Sequence, residues 1–411
     1  MTSLVIRNAE LLDCTGADPQ TGVDVAVSGS VISGIGPDAG SSPDQVIDAT
    51  GLTLMPGLTD AHVHMGLVDP AGGIGDLPWI DYVFTVRGVI ENTLQEGFTT
   101  VRDAGGLDPH WARLVEQGVI DGPRILPSGS VLSQTGGHGD LRPAHHIVHP
   151  RGSIPGLSAT PEIVDGVDEV RRAAREQLRK GATQLKVFSS GGVLSPTDPF
   201  DSLQFSYEEL RAAVEAAADW HTYVLAHCHT SDAIRRALSA GIRSIEHASI
   251  LDEEAAQRIV DSNAFAVVTL AVKYDLLADP ERAGLTPSQL TKLKAVESQV
   301  HRSIEIMGET GVKVGSGSDI VGPLQDRRGR ELLNKVKFMS PAEAIATATT
   351  GNADLFYMED RIGTVETGKD ADLILVDGNP LDEIELFADP DRIVAVIKGG
   401  RIYKDTEGRA I

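Results

Sequence analysis

Alternation of apolar and polar positions dominates both ends of the chain. Over about residues 3–52 the runs "SLVIRNAELLD", "VDVAVSGSVISGIG" and "QVIDATGLTLMPG" read as short strands separated by turns, with no helix of useful length. From about 53 to 350 the period changes: short apolar runs alternate with segments whose apolar residues recur at i, i+3, i+4 and i+7. That rhythm predicts strand–helix units and a parallel sheet. Eight strands are legible, "LTLMPGLTDAHVH", "TTVRDA", "RILPSG", "QLKVFS", "YVLAHC", "SIEHAS", "FAVVTL" and "VKVGSGSD". The spacing between them predicts helices over 162–180, 206–219, 230–240 and 287–309. Eight such units are what a closed (β/α)8 TIM-type barrel requires, so the expected fold class is α/β.

Beyond about 360 the strands return, in "IGTVETGKDADLILVDGNP" and "RIVAVIKGGRIYKD". Each terminal segment is too small to fold alone. Residues 1–52 and 361–411 are therefore expected to join as a small β-sandwich flanking a barrel of residues 53–360. The stretch 131–161 is a long loop rich in Gly, Pro and His, a length that within a domain usually serves function.

The 411 residues carry 36 basic against 59 acidic side chains, a net charge of -23. That argues against binding nucleic acid or an anionic membrane. Cys14 and Cys228 stand far apart, so neither a disulfide framework nor a four-thiolate zinc site is expected, and a reducing, cytoplasmic setting is the natural expectation. The N-terminus shows no signal-peptide pattern, and no apolar run reaches about 18 residues.

The chemistry-bearing positions fall at strand ends. His62 and His64 in "DAHVH" are two apart, so a strand puts both imidazoles on one face, where they can grip one cation. Lys186 lies on strand four, His227 closes strand five, His247 closes strand six, and Asp319 follows strand eight. In a barrel these six converge at the C-terminal mouth. Four imidazoles and a carboxylate suit a borderline cation, Zn2+ first, with Mn2+, Co2+ or Fe2+ accommodated by the same set. The ligands are too many for one tetrahedral site, so two ions are expected. An ammonium beside two dications is repelled; once neutral, the Lys186 amine can take up CO2 as a carbamate, an anionic bridge. His229 faces the same side of its strand as His227, where it can hydrogen-bond an oxyanion or a substrate carboxylate. Tyr274, after strand seven, is a further substrate-contact candidate. His145, His146 and His149 read as loop residues.

"MPGLTDAHVH", the strand-four lysine, His227, His247, "SD" and the returning "GKDADLILVDGNP" together resemble the amidohydrolase superfamily, in its binuclear branch with a carboxylated lysine. "GFTTVRDAGG", "TGGHGD", "KVFSSGGV" and "SIEHAS" are similar to the imidazolonepropionase-related group that includes Xaa-Pro and Xaa-Arg dipeptidases and ochratoxin-hydrolysing amidohydrolases. The resemblance implies an α metal on His62, His64 and Asp319, a β metal on His227 and His247, and a Lys186 carbamate and a hydroxide bridging the two. It also implies Asp319 as general base and acid, and His138 as a substrate-binding residue, as in the dipeptidases. Homo-oligomers are common among such proteins, and one is expected here by the same analogy.

A one-metal deaminase of this fold usually has a Glu three residues after the strand-five histidine. Here that position is Thr230. A metal-free structural protein of the same fold is expected to lack ligands, and none is missing. The expected substrate is a dipeptide or N-acyl amino acid, whose carboxylate His138, His229, Arg142 or Arg327 could receive. The alternative is a xenobiotic amide, carbamate or urea.

Overall fold

The two alternating ends of the chain meet in one sheet. The computed structural model describes residues 3–37, 39–40, 43–68, 77–142, 145, 153–195, 198–281 and 283–410. The N-terminal part supplies β1 (Ser3–Leu11), β2 (Gln20–Ser28), β3 (Val31–Ile35), β4 (Gln45–Asp48) and β5 (Thr53–Pro56). Then come β6 (Leu58–Val63), β7 (Phe98–Asp103), β8 (Arg124–Pro127), β9 (Leu132–Ser133), β10 (Glu162–Ile163) and β11 (Leu185–Phe188). They are followed by β12 (Val224–Thr230), β13 (Ser244–Ile250), β14 (Phe265–Val268) and β15 (Lys313–Ser316), and the chain closes with β16 (Leu373–Val376), β17 (Ile393–Lys398) and β18 (Arg401–Asp405).

The terminal strands form an eight-stranded sheet in the order β18-β17-β16-β5-β1-β2-β3, with β4 beside β1. β5 is shared: it runs parallel to β1 and antiparallel to β16, so the two terminal segments are joined through one continuous ladder. The hydrogen bonds link the strands of both termini into one ladder, and their inward residues, among them Leu4, Val25, Leu54 and Leu373, share one core. β5 also separates from the barrel strand that "LTLMPGLTDAHVH" suggests. The chain turns at Gly57, whose N–H donates to Asp372 O and whose Cα lies so close to Thr99 that a Cβ would sit 2.2 Å from its hydroxyl.

All eight expected parallel strands are present. β6, β7 and β8 make one parallel sheet; β10-β9-β11-β12-β13-β14-β15 make another, with β9 and β10 as two-residue additions from the long loop. Backbone contacts bring the sheets together at both edges: Thr183 N donates to Pro127 O, and Asp319 N to His62 O. The helices Tyr207–Ala218, Ser231–Ala240 and Pro287–Thr310 lie where the spacing puts them. The fourth is shorter. It runs Val167–Lys180, because Gly166 at φ +84° ends β10's extended segment, where Glu162 N and Val164 N pair with Val131 O and Ser133 O.

Alanines on the helices, among them Ala173, Ala174, Ala213, Ala217 and Ala237, let them approach strands whose bulk comes from Leu185, Val187, Val224 and Ile245. A second core joins helix Trp79–Gln95, through Val86, Ile90 and Leu94, to Ile374, Val376, Ile393 and Val396 of the terminal sheet. Among the described residues no helix is long and apolar enough to cross a membrane.

Candidate active site

His62 of β6, His64 just beyond it, Lys186 of β11, His227 and His229 of β12, His247 of β13 and Asp319 after β15 all line one cavity of about 160 Å³, with His138 from the long loop. Strand alternation does the sorting. The intervening Ala61, Val63, Ala226 and Cys228 face away into apolar clusters, while the His62 and His64 rings lie 5.1 Å apart and the His227 and His229 rings 4.6 Å apart.

The donor spacing is that of ligands around an ion. Asp319 Oδ1 stands 3.4 Å from His64 Nε2 and 3.5 Å from His62 Nε2, and Lys186 Nζ is 3.5 Å from the same His62 nitrogen. These separations are long for hydrogen bonds, but a tetrahedron with metal–ligand bonds near 2.1 Å has edges of about 3.4 Å. His62, His64 and Asp319 form a group whose ligand atoms all lie within 4.8 Å of one another. His227 and His247 lie beside it, their rings 4.4 Å apart, with His247 Nδ1 3.8 Å from Asp319 Oδ2.

The tautomers are fixed from behind. His62 Nδ1 meets Glu246 Oε2 at 2.6 Å, His64 Nδ1 meets Gly105 O at 2.7 Å, and His247 Nδ1 meets Thr269 Oγ1 at 2.7 Å. His62 and His64 thereby leave Nε2 towards Asp319, where a neutral imidazole offers its lone pair. Burial holds all of them neutral: His62, His227, His229 and His247 are pushed well below the usual histidine range, and His64 to about 4. Burial raises the Asp319 carboxyl to about 7 and lowers the Lys186 ammonium to about 8. Among the described residues Lys186 has no carboxylate within 4.0 Å, although it is only 2% exposed. The donor set, its spacing and its protonation thus fit a divalent cation.

Strand-borne charges that the motif reading passed over support this layer. Arg102 is fully buried and crosses between the two parallel sheets, donating from Nε to Ala61 O, from Nη1 to Ser244 Oγ and from Nη2 to Glu246 Oε1. Asp60 accepts the N–H groups of His62 and Ser318, and Asp103 accepts that of Met65. The available signal was composition: Arg102, Asp103 and Glu246 are charges inside runs that read as buried strands.

His138 stacks on His227 with ring centroids 4.5 Å apart, and its backbone N–H donates to Gln204 Oε1. A Cβ on Gly192 would lie 2.1 Å from the His138 ring, so "SSGGV" needs glycine there for the histidine to reach the cavity. His229 also lines the cavity, its Nδ1 3.1 Å from Ser249 Oγ. Tyr274 does not line it; its ring lies under the Lys337 ammonium, 3.9 Å from the centroid, because the helix turn that holds it directs it outward. Arg142 is held by Asp140 through two contacts of 2.6 Å, and Arg327 lies against Asp326 at 3.7 Å; neither lines the cavity. Nor does His145, and His146 and His149 fall outside the described residues. Lys273, which the sequence reading did not single out, does line it.

Parallel strands thus deliver imidazoles and a carboxylate to one cavity, where His62, His64 and Asp319 could hold a metal ion. The chain belongs to the amidohydrolase family, whose model matches residues 53–403, and so to the hydrolases of amide bonds. It is 35% identical to an ochratoxinase of Aspergillus niger over 98% of this chain and 87% of that one. Among solved structures it is similar to a prolidase in complex with N-methylphosphonate-L-proline, at 37% identity and a TM-score of 0.93, covering 98% of this chain and 100% of the other. A Xaa-Pro dipeptidase with bound methionine gives 29% identity and a TM-score of 0.88, over 98% and 100% of the two chains.

Proposed function

We propose that this chain is a two-metal amidohydrolase that cleaves the amide bond of a dipeptide or N-acyl amino acid, built on two parallel sheets that close as one (β/α)8 barrel. The observation that carries this reading is the His62, His64 and Asp319 cluster at ligand spacing, with a buried lysine against it that has no carboxylate within 4.0 Å among the described residues. His62, His64 and Asp319 would hold one ion, and His227 and His247 the other. Two divalent ions, Zn2+ first, supply Lewis-acid polarisation of a carbonyl and acidify water. Lys186 would join the sets as a carbamate, its neutral amine bonding to the carbon of CO2 and losing one proton, and would supply an anionic oxygen pair.

Asp319 takes the proton of the attacking water and passes it to the departing amine nitrogen, which leaves as a neutral amine. His229, fixed by Ser249, and His138, fixed through Gln204 and by stacking on His227, donate to the oxygen that gains charge as the carbonyl carbon becomes tetrahedral. The similarity to an ochratoxinase and to a prolidase holding a proline derivative supports an amide whose amine half is an amino acid.

The test is metal content together with turnover. Purified protein supplied with Zn2+ and bicarbonate should hold two ions per chain and hydrolyse members of a dipeptide and N-acyl amino acid panel, and Lys186→Ala should lose metal and turnover together, with slight rescue by acetate. Full metal and full turnover in Lys186→Ala would refute the carbamate. Cleavage of ureas or carbamates with no carboxylate-bearing amide would replace the substrate class by the xenobiotic one. Absence of both bound metal and hydrolysis would leave a structural protein.

A further inference from the structure

We propose that Lys273 receives the carboxylate of the amino-acid half of the substrate, beside an apolar wall of Val272, Leu276, Leu293 and Val193 that takes its side chain. The inference rests on the amidohydrolase reading and narrows its substrate to amides of apolar amino acids with a free carboxylate.

Lys273 stands in the first turn of helix Leu270–Ala278, directly after β14. That turn is anchored: Glu331 Oε2 accepts the N–H groups of Leu270 and Ala271, both at 2.7 Å. The ammonium lines the cavity, the side chain is only 4% exposed, and among the described residues Nζ has no hydrogen-bond partner. Asp319 and Glu331 are the carboxylates that act on it, but one faces the imidazoles and the other accepts two amides at Oε2 and has Lys335 Nζ 3.9 Å from Oε1. A buried ammonium without a partner is costly, and an arriving anion is what relieves the cost. Burial lowers its pKa to about 8, and a carboxylate in contact raises it again, so the bound pair is charged.

The other cations near the cavity are committed. Lys186 lies against His62, Lys292 donates to the carbonyls of Gly192, Ser195 and Asp198, and Arg142 is held by Asp140. The wall is equally specific. Val272 and Leu276 flank Lys273 on its helix and pack in one cluster with Leu293 and Val193, and all four line the cavity. An ammonium next to an aliphatic surface matches an α-carboxylate next to an apolar side chain.

The experiment compares N-acetyl-L-phenylalanine with N-acetyl-L-phenylalaninamide, which share the scissile acetamide and differ in the carboxylate, on the Zn2+-loaded protein. Wild type should favour the carboxylate. Lys273→Met should lower kcat/KM for it roughly 10- to 100-fold more than for the amide, the range of one charged hydrogen bond, and Lys273→Arg should keep part of the preference. Removing the unpaired charge should also raise the thermal midpoint of Lys273→Met. An equal fall on both substrates, or no change on either, would overturn the proposal. If wild type hydrolyses neither, amide hydrolysis of this class fails on its own, and calorimetry with L-phenylalanine and L-phenylalaninamide then judges Lys273. Selective weakening of L-phenylalanine in Lys273→Met supports the carboxylate receptor; equal binding by both proteins overturns it.

Discussion

In the proposed metal site, Asp319 is the residue at which protonation and metal binding compete. Its carboxyl is raised to about 7 by burial, whereas His64 is lowered to about 4 and the other imidazoles lie well below their usual range. The sign follows. As pH falls through about 7 the metal-free site takes a proton on Asp319, which must leave before a cation binds, while the imidazoles are already neutral. Metal affinity should therefore fall by at least about tenfold per pH unit below 7, because the Lys186 ammonium, at about 8, must also lose its proton to join the ligands, while the imidazole contribution stays flat down to about 4. Chelator competition between pH 5.5 and 8.5 measures this, and an affinity independent of pH across 5.5–7 would contradict it. The residues that meet in the cavity were legible because each is a histidine, lysine or aspartate on or just beyond a parallel strand. Arg102, Glu246 and Lys273 were not, since Arg102 and Glu246 pair across 144 positions and Lys273 reveals itself only by having no partner.

Elements bring these residues to bear through departures from regular geometry. His247 at φ +73° and Ala248 at φ +43°, within β13, and Asp319 at φ +55°, just beyond β15, occupy the left-handed region that L side chains seldom adopt, and His247 and Asp319 line the cavity. Asp319 is held there by its N–H bond to His62 O. The loop after β11 works by close approach, because Gly192 leaves room for the His138 ring. Gly192→Ala should push that ring away, lowering kcat/KM while bound metal stays at the wild-type level, at a stability cost of about 1–3 kcal/mol for overpacking. Metal analysis beside kinetics checks it; loss of metal would show that the loop supports the ions and not the substrate. The long strands and the helices Tyr207–Ala218 and Ser231–Ala240 were legible from period alone. β9 and β10 were not, because two-residue pairings are fixed by a neighbour strand and carry no period of their own.

At the scale of the whole molecule, the terminal sheet and the parallel sheets share a core. Ile393 and Ile374 pack with Val86, Ile90 and Leu94, so the two regions should unfold together. Ile393→Ala should cost about 2–4 kcal/mol and shift a single denaturant transition, with metal release at the same midpoint. Two separate transitions would show that the regions are independent. The sequence by itself determined the periods, hence the α/β class, the eight parallel strands and which side of each strand carries histidine, because a strand's alternation is a local property of the chain. Tertiary structure alone decided that β5 joins the termini into one ladder, that Glu246 and Arg102 brace His62, and that Lys186 and Lys273 are buried with no carboxylate partner among the described residues. Pairing and desolvation depend on what lies across the fold, and no local pattern contains that information.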